Sequence, residues 1–177
     1  MSDATIADTS VYVAHSDDEI REQLVSHCRE LSMSLLGYAS DATRLRSEGT
    51  LLLPDLIISG ISFPDGDAIQ ALIDISDLRP TPAIIIAKDD DLDDVKKAME
   101  DHVMAYLIAP VKKRDLESST YLVRKRFKQI QELHNEVEEL QETLNLRKKI
   151  ERAKGLVMRH FDMNEEEAYL KIREIAT

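Results

Sequence analysis

Six cations crowd one short stretch late in this chain: Arg147, Lys148, Lys149, Arg152, Lys154 and Arg159, offset within it only by Glu151. Lys171 and Arg173 extend the set. Such groups bind phosphate, because they displace the counterions of a polyanion, and a guanidinium also stacks on or hydrogen-bonds splayed bases. A second constellation is acidic. Asp89, Asp91, Asp93 and Glu100 fall at positions 1, 3, 5 and 12 of a calcium-loop pattern. The glycine that loop needs at its sixth position is Asp94, and Asp89 follows a strand rather than a helix. The run therefore reads as an acidic loop whose last carboxylates favour the next helix's N-terminus, with no metal expected.

Other chemistry finds little support. The histidines, His15, His27, His102, His134 and His160, show no ligand spacing, and Cys28 is alone in an amphipathic stretch, the setting of a buried small hydrophobe. No GxGxxG, P-loop or GxSxG pattern occurs, so neither a cofactor nor enzymatic activity is expected. No apolar run approaches the length that spans a bilayer, and the polar start MSDATIADTS has neither a basic nor an apolar leader region. A lone cysteine and this start fit a cytoplasmic protein, with residues 1–9 a disordered lead.

The net charge of −11 hides an asymmetry. Residues 1–120 carry 11 basic and 23 acidic side chains, whereas residues 121–160 carry 10 basic and 6 acidic. A basic block follows an acidic domain.

The elements that must position these groups are legible in the hydrophobic pattern. Apolar, β-branched runs alternate with amphipathic stretches, which is the pattern of a parallel sheet covered by helices on both faces. Strands are expected at Ser10–Ala14, Leu35–Ala39, Leu56–Ser59, Ala83–Ala87 and Ala105–Ile108. Helices are expected from a Ser16/Glu19 capping box to about Leu31, then near Asp41–Ser47, Ala68–Ser76 and Asp93–Glu100, with Lys113 entering a long one. The landmarks Pro54-Asp55-Leu56-Ile57-Ile58, Phe63-Pro64-Asp65-Gly66-Asp67, Thr81-Pro82, Tyr106-Leu107 and Ala109-Pro110 resemble those of a response-regulator receiver domain over residues 10–120. The resemblance implies a flavodoxin-like, doubly wound α/β fold. It also implies a phosphorylation site that this sequence lacks. Gly60 stands where the family has its phosphoacceptor Asp, His15 and Ser16 stand at the metal-binding acidic pair, Ala87 at the Ser/Thr and Ala109 at the Lys. Asp17, Asp18 and Asp65 lie nearby but cannot supply both nucleophile and counter-cation. A degenerate pseudo-receiver is expected, controlled by a protein sensor or small-molecule inducer.

Residues 122–160 contain no proline, and no glycine before Gly155. A helix of that length reaches roughly 58 Å, too long for the core of one small domain. Ile130, Leu133, Val137, Leu140 and Leu144 step by 3, 4, 3 and 4, the seam of a left-handed dimerising coiled coil over residues 121–145. Leu146, Ile150, Ala153 and Val157 continue two residues out of phase, which turns the seam to a different neighbour. Ile150, Ala153, Leu156 and Val157 form an apolar face, Asp162–Asn164 break the helix, and Asn164 with Glu167 caps another whose buried face is Ala168, Tyr169, Ile172 and Ala176.

Residues 146–177 resemble the ANTAR domain, the RNA-binding output module of transcription antitermination regulators. Arg147-Lys148, Glu151-Arg152-Ala153-Lys154-Gly155-Leu156-Val157-Met158, Met163, Glu166, Ala168, Ile172, Arg173 and Ala176 carry the resemblance. The family module adds a third helix, and this sequence stops at Thr177, where that helix is due. The resemblance implies a homodimer presenting two modules to a leader transcript with paired hairpins, with Arg147, Lys148, Arg152, Lys154, Arg159, Lys171 and Arg173 on the RNA. A competing reading is a protein-interaction adaptor whose pseudo-receiver docks a sensor and whose incomplete module no longer binds RNA. A DNA-binding regulator ranks third, because no helix-turn-helix is recognisable.

Overall fold

The apolar runs SVYVA and AIIIA become β1 (Ser10–Ala14) and β6 (Ala83–Ala87) of a computed structural model that describes residues 6–88 and 103–175. Both strands are buried along nearly their whole length, as central strands of a parallel sheet must be. With β2 (Ser34–Ala39), β3 (Leu56–Gly60) and β7 (Val103–Ile108) they form one five-stranded parallel sheet in the order β2-β1-β3-β6-β7. All five expected strands are present. A small antiparallel hairpin of β4 (Ser62–Phe63) and β5 (Gly66–Asp67) follows β3 and was not legible in the pattern, since two-residue strands carry no periodicity.

Alternate residues of each strand face opposite sides, so the sheet carries two cores. Tyr12, Leu45, Ile57, Leu72, Ile75 and Ile85 pack on the side of α2 (Ala42–Leu52) and α3 (Ala68–Leu78). Val11, Val13, Leu24, Ile58, Ile84 and Leu116 pack on the side of α1 (Asp18–Glu30) and the first turns of α4 (Lys113–Phe161). Cys28 lies in this second core, and burial pushes its thiol up to about 12.

Several local expectations change. The cap of α1 is Asp17 rather than Ser16: its backbone is extended and its Oδ1 accepts from the Glu19 and Ile20 amides. Helix α2 continues beyond Ser47 to Leu52, through Gly49. That glycine is a close-packing residue; a Cβ there would lie 2.4 Å from Ile75 Cδ1 of α3. Within the lead, Ile6–Asp8 form a short 3-10 turn, and fully buried Thr9 accepts a hydrogen bond from Arg124 of α4 through its hydroxyl. The acidic run Asp89, Asp91, Asp93 and Glu100, with the helix expected there, lies outside the described residues.

The chain divides into two units, residues 1–128 and residues 129–177. In the second unit the remainder of α4 is followed by α5 (Glu165–Ile175). Helix α4 ends where Asp162 adopts φ 51° and the Met163 amide bonds back to the Met158 carbonyl, a left-handed helix stop. Asn164 and Glu167 then form the expected reciprocal capping box, with both bonds at 3.0 Å.

Candidate functional site

Ligands of open parallel sheets bind at the carboxyl ends of the strands. There β1 delivers His15, β3 delivers Gly60 and β6 delivers Lys88. His15 is buried and lies directly against Gly60: a Cβ on that residue would be 2.9 Å from the ring's Cδ2 and 3.2 Å from Nε2. The ring is pinned, because its Nδ1 accepts the Asp17 amide at 3.0 Å. Burial holds the imidazole below its ordinary pKa, with Lys88 and Arg21 adding to the effect and the Asp17 carboxylate opposing it. The space above the third strand is thus filled by a neutral ring.

The nearby carboxylates have structural partners. Asp17 caps α1 and meets Lys88 at 3.4 Å, and Asp18 pairs with Arg21. Asp65 holds the start of α2, accepting from the Ala42 and Thr43 amides at 2.9 Å each and from the Thr43 hydroxyl at 2.6 Å. Those three donors bring its carboxyl down to about 2. Among the described residues no group of three His, Cys, Asp or Glu side chains is placed to hold a metal ion.

Along the rest of α4, Ile130, Leu133, Val137, Leu140 and Leu144 are all exposed in the single chain, by 44% to 61%. Leu146 is exposed as well, while Ile150, Ala153 and Val157 are half-buried beside α5, whose Ala168 is fully buried and whose Ile172 is half-buried. Leu156 and Tyr169, expected on the buried faces, are instead exposed by 61% and 50%; Met158 and the stem of Lys154 take the inner positions. Ala176 lies outside the described residues.

The basic residues separate into distinct classes. Arg147, Lys148 and Arg152 are exposed and have no ion pair among the described residues. Arg159 donates from Nε to the Gly155 carbonyl at 3.0 Å, and Lys171 sits 6.0 Å from the centre of the Phe161 ring. Lys154 differs. Its ammonium lies 2.7 Å from both Glu151 and Glu165, its side chain is only 12% exposed, and the two carboxylates hold its proton more tightly than usual. It joins α4 to α5, so its charge is already neutralised within the hairpin; Glu165, eleven residues away, left no pattern that would have flagged it.

The model of the ANTAR domain matches residues 138–177, the segment that holds these cations. Over 166 residues the chain is 33% identical to the transcriptional regulatory protein PdtaR of Mycobacterium tuberculosis, in both strains CDC 1551/Oshkosh and ATCC 25618/H37Rv. That alignment covers 94% of this chain and 81% of the relative. The chain belongs to the ANTAR response regulators. Its receiver-like lobe is similar in fold to the REC domain of AraT from Geobacillus stearothermophilus, with TM-score 0.62, 21% identity, and 70% of this chain and 98% of that one covered. It is equally similar to the receiver domain of NarL from Mycobacterium tuberculosis, with TM-score 0.61, 19% identity, and 67% and 97% covered. A parallel sheet of the receiver type followed by an ANTAR hairpin is the architecture of a transcription regulator. No helix among the described residues is long and apolar enough to cross a membrane.

Proposed function

We propose that this ANTAR response regulator is an RNA-binding transcription antiterminator, dimeric through α4, whose receiver lobe responds to a protein or small-molecule partner rather than to phosphorylation. The observation that carries the reading is the set Arg147, Lys148 and Arg152, an exposed basic surface on the ANTAR hairpin with no ion pair among the described residues, in a chain of net charge −11. Cations without internal partners keep their full counterion-release term for a polyanion. The exposed 3-4 seam from Ile130 to Leu144 supports pairing, because apolar side chains at that spacing bury themselves in a second helix. His15 against Gly60 supports a silent acceptor site: an imidazole occupies the position, and no carboxylate is offered there.

Binding of tandem-hairpin RNA, single-hairpin RNA and duplex DNA across a salt series tests this. Tandem-hairpin RNA should bind most tightly, and neutralising Arg147, Lys148 and Arg152 should lower the salt slope by about one for each phosphate no longer neutralised. The chain should sediment as a dimer at micromolar concentration, and acetyl phosphate with Mg²⁺ should leave its mass unchanged. Equal affinity for duplex DNA, a monomer, or a phosphoryl adduct would each remove the corresponding part of the proposal.

A further inference from the structure

Gly155 sits in the middle of the last turns of α4, and nothing in this chain requires a glycine there. Its backbone is helical, since no described glycine has a positive φ, and a Cβ built on it meets no atom within 4 Å. A helix-interior glycine forfeits about 1 kcal/mol of helix propensity relative to alanine. At Gly49, by contrast, a Cβ would crowd Ile75. The missing side chain at position 155 therefore serves something outside the chain.

Helix geometry shows what faces it. Successive residues turn by about 100°, so Lys148, Arg152, Gly155 and Arg159 share an arc of about 60°. Ile150, Ala153 and Val157, which are half-buried beside α5, lie on the opposite side. Gly155 is thus the low point of a basic stripe turned away from the hairpin's own packing. Glu151, Arg152, Leu156 and Arg159 rim the open depression above it. Arg159 spends only its Nε donor on the Gly155 carbonyl, at 3.0 Å, and a guanidinium has five N–H donors.

We infer that Gly155 is a close-approach point for RNA, where a sugar-phosphate strand descends to the helix surface between Arg152 and Arg159, with Lys148 on the same line. This rests on the RNA-binding reading above and assigns the face that does the binding. The occupant follows from charge: three cations on one stripe, opposed only by Glu151 at its edge, repel the same stripe of a second copy and attract a polyanion. Lys154 is excluded from the RNA-facing set, since its charge is met by Glu151 and Glu165.

The probe is a tandem-hairpin RNA selected on the full-length chain from a pool randomised in its loops. Gly155→Ala and Gly155→Leu should hold or raise the thermal midpoint, because both residues form helix better than glycine and a Cβ there meets no atom within 4 Å. Their affinity for the selected RNA should nevertheless fall, by roughly tenfold or more for leucine, the penalty expected when one good interaction with the nucleic acid is displaced. Parental affinity in both glycine variants, with Arg152→Gln still lowering the salt slope, would overturn the close-approach assignment and leave RNA binding standing. A pool from which the parent retains no RNA would overturn both. A shift of RNA-free Gly155→Leu from dimer to monomer would also overturn it, by placing a second copy over the glycine.

Discussion

Replacing Gly60 with alanine tests whether a packed imidazole has taken over the carboxyl end of the third strand. Glycine inside a strand normally gives up about 0.5–1 kcal/mol relative to alanine, so this substitution at an open position would stabilise. Here the added Cβ would lie 2.9 Å from His15 Cδ2, a buried ring that cannot swing aside without losing its bond from the Asp17 amide. Overpacking of that kind costs about 1–3 kcal/mol, which leaves Gly60→Ala destabilising by about 1 kcal/mol. Removing the ring should reverse the sign. In a His15→Ala background the same substitution should stabilise by about 0.5–1 kcal/mol, giving a coupling of about 1–3 kcal/mol between the two positions. The assay is urea unfolding of the four proteins in the cycle, followed by hydrogen exchange of β1 and β3 amides so that the lobe is read separately from the remainder of α4. Each kcal/mol moves the midpoint by about 0.3–1 M urea. If Gly60→Ala stabilises the parent, or costs the same with and without the ring, then His15 does not fill this site.

Further outcomes rest on the same geometry. Because burial lowers the His15 pKa in the folded state, the unfolded chain binds the extra proton first; the neutral ring's contribution is therefore complete above about 6.5 and is lost as pH falls below it toward the folded value. Lobe stability should decline through that window, and His15→Gln should flatten the decline; an unchanged profile would contradict the assignment. Lys154→Met should weaken hydrogen-exchange protection of α5 and lower RNA affinity while leaving the salt slope at its parental value, and the exchange Lys154→Glu with Glu165→Lys should recover protection. A slope falling as it does for Arg152→Gln would place Lys154 on the RNA after all.

Much of this architecture was written in the order of residue types. The strands were legible because a parallel sheet buried on both faces demands continuous β-branched runs, and the long helix because nothing between residues 122 and 154 can break one. The capping box at Asn164 and Glu167 was equally local, since both of its bonds are made within four residues. That Gly60 stands at the receiver family's acceptor position was read from the resemblance, through landmarks that are local in the chain. What remained undecided were relations between residues distant in sequence. That a side chain at Gly49 would crowd Ile75 depended on α3, and whether the hollow over Gly60 was open depended on His15, 45 residues earlier. The basic cluster shows the division most clearly. Its residues could be counted from the sequence, but a cation's usefulness to a ligand depends on whether the fold has already given it a partner. Glu165 brings that partner to Lys154 by way of a helix reversal, while Arg147, Lys148 and Arg152 have no ion pair among the described residues.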